Sequence, residues 1–174
     1  MQDTQVAASP QDGRASEHLD LLFRAVLQFT SDSASDAVIP SADRDAAYIG
    51  TGTGTIDGAR LSGAMSWSLY AGNCLYPLIR GGQTVPDTLN LCTLSPGGFI
   101  ETHDGERIRF DGRGYGLRSS ERYLMSATLA FRTEAADYGW LNNVLAIMQG
   151  DFDENAGRAR WNVFVPRSAE TVKC

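Results

Sequence analysis

The chain of 174 residues and 18.8 kDa is 43% hydrophobic and 21% charged, enough for one domain that buries about two thirds of its unfolded surface. Its formal net charge of -6 and pI near 4.8 argue against nucleic acid or an anionic membrane as the main partner, because those surfaces demand a basic footprint. No run approaches the ~18 consecutive apolar residues of a membrane-spanning helix. The opening MQDTQVAASPQDGRASE lacks the charged-then-apolar pattern of a signal peptide, so a cytoplasmic location is expected, although removal of a leader would leave the same polar start.

Residues 1–18 read as a flexible extension ahead of the domain. The stretch HLDLLFRAVLQFT then fits two templates: Leu19, Leu22, Phe23, Val26 and Leu27 make a helical stripe, while Leu19, Leu21, Phe23, Ala25, Leu27 and Phe29 alternate. Everything downstream reads as strand, so this segment is expected to be the first strand, with its odd-numbered residues inside. Ser31 to Asp45, rich in Ser, Asp and Ala, is expected to be a mobile loop.

GTGTGTIDG, Gly50 to Gly58, has the glycine content of a phosphate loop but neither the Lys-Ser/Thr ending nor a following helix. Its continuation alternates Leu61, Gly63, Met65, Trp67 and Leu69 against small polar residues, so Gly50 to Tyr70 reads as two strands joined at a tight turn. GFIETHDGERIRFDGRGYG reads as a hairpin with Asp104-Gly105 as a two-residue type I′ turn. RYLMSATLAF alternates Tyr123, Met125, Ala127, Leu129 and Phe131. WLNNVLAIMQG reads as another strand, and RARWNVFV as the last, with Trp161, Val163 and Val165 on one side. The pattern gives an all-β, closed antiparallel barrel of about eight to ten strands with little helix, spanning residues 19–166 as a single domain, with residues 167–174 as a tail.

Scarce residues narrow the chemistry. The only lysine, Lys173, lies in the tail, leaving no residue for a Schiff base or a lysine-bound pyridoxal phosphate. The two histidines, His18 and His103, and the three cysteines, Cys74, Cys92 and Cys174, show no paired ligand spacing, so no zinc site is expected; a carboxylate-rich site for a hard cation stays open without a residue pattern to support it, and the expectation is of no metal and no cofactor. The odd cysteine count suggests reduced, structural thiols. Arg107, Arg109, Arg113, Arg118 and Arg122 cluster; the plain reading is a solvated strand face, and the sharper one is an anion or carboxylate clamp.

YIGTGTGTIDGARLSG, the IETHDGERI hairpin and YGWLNN together resemble the bacterial domain-of-unknown-function family 3237 over Leu19 to Val165, with Tyr138, Trp140, Leu141 and Asn142 on its aromatic-leucine-asparagine signature and Asp104-Gly105 on its turn. The resemblance implies a calycin-like barrel and says little about reaction. YAGNCLYPLIRGGQTVPD departs from the family's glycine-glycine-aspartate stretch, so the resemblance implies no role for this segment.

A two-residue turn at Asp104-Gly105 would pair His103 with Glu106, Glu101 with Ile108 and Phe99 with Phe110. Glu101 and His103 would then share an apolar inner face, with the carboxyl pushed up by desolvation and the imidazole as its proton partner. Trp67, Phe99, Phe110, Tyr123, Asn142 and Trp161 would line the substrate space. The plainer alternatives are a solvent-exposed His103, a Glu101 paired with an arginine, an Asn142 closing a strand corner, and aromatics that are simply core.

Two functions fit. One is a cofactor-independent isomerase, lyase, hydratase or cyclase using Glu101 and His103 on a small, mostly apolar or aromatic metabolite; the other is a non-catalytic carrier of such a molecule. Neither requires nucleic acid or membrane, and a homo-oligomer is compatible with both.

Overall fold

The computed structural model describes residues 18–30, 37–38, 46–72, 79–80, 83–84, 90–119, 122–153 and 155–167. The expected N-terminal extension, most of the Ser31 to Asp45 linker and nearly all of the C-terminal tail therefore lie outside the described residues.

The strands are β1 (Leu19–Thr30), β2 (Ala46–Asp57), β3 (Gly63–Gly72), β4 (Ile79–Arg80), β5 (Gln83–Thr84), β6 (Asn90–Thr102), β7 (Arg107–Ser119), β8 (Arg122–Arg132), β9 (Leu145–Asp153) and β10 (Arg158–Pro166). Eight of them close into an antiparallel barrel in the order β1-β10-β9-β8-β7-β6-β3-β2, and β4 and β5 pair separately as a two-stranded ribbon. Closure leaves no barrel strand with an unpaired edge.

Period-two alternation decides what faces the interior. In β1, Phe23, Ala25, Leu27 and Phe29 are buried and Arg24, Val26, Gln28 and Thr30 exposed, so HLDLLFRAVLQFT is a strand with odd residues inside. A register shift between Leu21 and Phe23 adds one residue there, which turns Leu22 inward as well. The expected inner sets of β3 (Met65, Trp67, Leu69), β8 (Met125, Ala127, Leu129, Phe131) and β10 (Trp161, Val163, Val165) are all buried.

Three local expectations are corrected. The two strands within Gly50 to Tyr70 are not joined at a tight turn, because residues 58–62 connect β2 to β3, with Leu61 tucked into the core. The segment before β9 is a 3-10 helix (Ala136–Asn143) rather than the start of a strand. Its one buried side chain, Leu141, is fully covered beneath the end of the barrel, and Trp140 lies half-buried beneath the guanidinium of Arg60, 3.8 Å from its ring centre. Cys92 is buried and disulfide-bonded, with its partner outside the described residues, so the expectation of reduced thiols does not hold for it.

The fourth correction governs the site. The β6–β7 hairpin pairs Ile100 with Ile108, Glu101 with Arg107 and Phe99 with Arg109, one residue away from the expected register. Gly105 N–H donates to the Thr102 carbonyl at 3.0 Å and Thr102 N–H to the Glu106 carbonyl at 2.9 Å, so the loop has three residues, His103, Asp104 and Gly105. Gly105 has φ +86°, the left-handed position that ends such loops. A one-residue change in register exchanges the two faces of a strand.

Candidate functional site

The barrel interior is lined by buried aromatic side chains. Trp67 and Trp161 meet edge to face with centroids 4.0 Å apart, and Phe29 lies edge-on to both Trp67, at 5.9 Å, and Phe152, at 4.5 Å. Trp67 stands opposite Gly52 on β2, and a Cβ on Gly52 would lie 1.9 Å from the indole nitrogen, so the ring occupies the space a side chain would need. The indole N–H groups of Trp67 and Trp161 are buried without a hydrogen-bond partner. Among the described residues the only buried polar side chains are Ser68 and Thr102. Ser68 accepts from the Val38 N–H at 2.5 Å.

The changed register places the expected catalytic pair elsewhere. Glu101 and His103 are both exposed, Glu101 on the outer wall and His103 in the turn, while Ile108 and Phe110 point inward and are fully buried. Glu101 and His103 therefore do not share an apolar inner face. Of the expected lining residues, Trp67, Phe110 and Trp161 are interior. Tyr123 is half-buried, stacked on Phe152 at 5.8 Å. Phe99 is half-buried on the outer wall, beneath Arg107, whose guanidinium carbon lies 3.7 Å from the ring centre. Asn142 is exposed and clamps a corner: its Oδ1 accepts from the Thr133 N–H and its Nδ2 donates to the Thr133 carbonyl, both at 2.9 Å. This is the corner-closing role of an asparagine side chain.

The same parity that removes the acid and base from the lumen assembles a groove on the outer wall. It has a volume of about 550 Å³ and is lined by Phe99, Glu106, Arg107, Arg109, Arg132, Thr133, Glu134, Ala135 and Asn142. β6 supplies Phe99, β7 supplies Arg107 and Arg109, and β8 supplies Arg132. Thr133 to Ala135, leading into the 3-10 helix, form one bank; the Thr133 hydroxyl donates to the Arg107 carbonyl at 3.3 Å and accepts from the Ala135 N–H at 3.1 Å. Arg109 and Arg132 are direct cross-strand partners, and among the described residues neither they nor Arg107 form an ion pair. Arg132 Nη1 donates to the Phe131 carbonyl at 2.7 Å.

A network beside the groove fastens the hairpin to the 3-10 helix. The Thr102 hydroxyl donates to Asp104 Oδ1 and receives the Glu106 N–H at 2.9 Å, and the Tyr138 hydroxyl donates to Asp104, 3.0 Å from Oδ1 and 3.2 Å from Oδ2. The Thr102 hydrogen bond, with that from Tyr138, holds the Asp104 carboxyl below its ordinary value against partial desolvation. Desolvation, with the hydrogen bond to Asp104, pushes the Tyr138 phenol up.

Sequence reasoning singled out Arg107 and Arg109 but missed Arg132, Thr133 and Glu134. The available signal was Phe131: once it faces inward, Arg132 must face outward, and only the loop length of the preceding hairpin was needed to bring it opposite Arg109.

In solved structures the chain is similar to a β-barrel-like protein of Acinetobacter baumannii AYE, with 15% identity and a TM-score of 0.56 over 88% of this chain and 99% of that one. It is also similar to a conserved protein of unknown function from Rhodopseudomonas palustris, at 16% identity and TM-score 0.56 over 85% and 96% of the chains. A protein of unknown function from Clostridium acetobutylicum ATCC 824 follows, at 14% identity and TM-score 0.54 over 85% and 97%. These similarities show the barrel fold. No family model matches the chain, and no curated protein matches it in sequence.

Proposed function

We propose that the protein is a non-catalytic binding barrel for a small molecule, and that its recognition surface is the groove on the outer wall. The observation that carries this reading is the convergence of Phe99, Arg107, Arg109 and Arg132 on one concavity, an apolar surface with a few oriented charged groups, which is the usual make-up of a small-ligand site. The aromatic side chains packed against one another inside the barrel act as a scaffold that holds those strands in place.

A cofactor-free isomerase, lyase, hydratase or cyclase working inside the barrel would need an acid and a base there. Glu101 and His103 are exposed, so the enzyme reading loses its support relative to the carrier reading. Membership of the 3237 family belongs to the same proposal, supported by the barrel and by the structural parts played by Tyr138, Leu141 and Asn142 at one end of it.

The test is a ligand-observed NMR screen of a chemically mixed fragment library on the wild-type chain and on Ala135→Trp, which fills the groove. Hits that disappear with Ala135→Trp support the reading. Hits that persist in that variant and quench the fluorescence of Trp67 and Trp161 would return the site to the lumen.

A further inference from the structure

We infer that the groove recognises a monocarboxylate carried on a flat apolar body, with Arg109 and Arg132 gripping the carboxylate and Phe99 and Arg107 flanking the body; the inference rests on the groove being the binding surface.

The first argument is the arginine pair. Directly opposed residues on an antiparallel pair have Cβ atoms about 5 Å apart, and like charges in that position destabilise the sheet. Arg109 and Arg132 occupy such a position, and among the described residues no carboxylate forms an ion pair with either. A fold that keeps this repulsion has a use for it, and the repulsion disappears when one anion bridges both forks. Guanidinium presents two parallel N–H donors that match the two oxygens of a carboxylate. The hydrogen bond from Arg132 to the Phe131 carbonyl ties down one Nη1, which orients that guanidinium before a ligand arrives.

The second argument is the charge balance. The lining holds Arg107, Arg109 and Arg132 with Glu106 and Glu134, and Glu101 stands opposite Arg107 on the same wall, so the positive charge that faces no acid across the strands is the Arg109–Arg132 pair. Two guanidiniums seat one carboxylate, and the acids around them disfavour a more highly charged anion.

The third argument is the shape of the surroundings. Phe99, Ala135 and the arginine stems give the groove apolar surface. The Arg107 guanidinium carbon already lies 3.7 Å from the centre of the Phe99 ring, a cation–π contact on the face of an aromatic ring inside the groove. The volume of about 550 Å³ falls within the ~300–1,000 Å³ range of small-molecule sites, so the carboxylate comes with a body attached.

The experiment titrates the full chain with benzoate, inorganic phosphate and benzyl alcohol, followed by calorimetry and chemical-shift changes. Benzoate should bind at least about tenfold more tightly than either of the others. Arg109→Gln and Arg132→Gln should each weaken benzoate at least about tenfold, while Arg160→Gln, on the outer face of β10, should leave it within about twofold. Neither groove variant should melt below the wild-type protein, because each removes half of a like-charged pair; this separates a binding effect from loss of fold. Phosphate binding more tightly than benzoate would overturn the monocarboxylate assignment. Benzyl alcohol binding as well as benzoate, or benzoate indifferent to both substitutions, would overturn the arginine grip while leaving an apolar binding groove. Failure of every probe and every fragment at the groove would overturn both this inference and the binding-barrel reading.

Discussion

Ile100 stands directly opposite Ile108, both fully buried, while one step along the same strands Glu101 and Arg107 oppose each other on the exposed wall. That pairing decides which side of the barrel every polar residue of the hairpin occupies. It is set by a three-residue loop whose last member, Gly105, has φ +86° and meets nothing within 4 Å of where a Cβ would stand. Gly105→Ala should therefore lower stability by about 1–2 kcal/mol through backbone conformation alone. Gly105→Asn should cost less, since asparagine tolerates the left-handed region better. Urea melts check both, and equal losses would show that crowding, rather than φ, is responsible.

The crossing of Trp67 and Trp161 predicts where the interior is least forgiving. Trp161→Ala should cost about 3–5 kcal/mol, the usual penalty for truncating a buried aromatic. Gly52→Ala should also destabilise, by about 1–3 kcal/mol, because the added methyl needs the volume already taken by the Trp67 indole. A Gly52→Ala protein with an unchanged melting temperature would mean that the indole has room to move aside.

At the end of the barrel closed by the 3-10 helix the anchor is Leu141 rather than its larger neighbour Trp140. Leu141 is fully buried, whereas Trp140 is half-buried under Arg60. Leu141→Ala should cost about 2–5 kcal/mol and Trp140→Ala distinctly less. Denaturant midpoints of the two variants compared side by side decide the order.

The Asp104 network predicts an acid limb. A carboxyl held below its ordinary value contributes stability that is present above about pH 3.9, its unfolded value, and is lost as the pH falls through the lower folded value. Melting temperatures between about pH 2 and pH 5 should fall more steeply for the wild-type protein than for Asp104→Asn. Tyr138→Phe should flatten part of that slope by removing one donor. Parallel curves for the wild-type and Asp104→Asn proteins would remove Asp104 from the account of acid sensitivity.

The barrel was legible because alternation is a two-state signal repeated along every strand: Met125, Ala127, Leu129 and Phe131 could only face one way together. The site was not legible, because placing Glu101 requires the length of a loop, and Thr102-His103-Asp104-Gly105-Glu106 is compatible with two. The hydroxyl of Thr102, which binds Asp104 and the Glu106 N–H, tips the choice to three residues, and that preference lies in a side-chain contact that periodicity does not register. The groove was half visible for a related reason. Arg107 and Arg109 belong to a run of neighbours in sequence, but Arg132 joins them only through the β7–β8 pairing.

A wall one strand thick has a further consequence for how this protein can change over time. Phe110 fills the interior and Arg109 faces the groove, so adjacent codons answer to different pressures, one to packing and the other to whatever the outside meets. Outward positions of β6, β7 and β8 can be exchanged without disturbing a single interior contact, and the pairing that brings them together stays fixed while their chemistry drifts. Two proteins of this shape can thus share every inward residue and greet entirely different molecules. For this architecture, likeness of the core carries little information about likeness of the ligand.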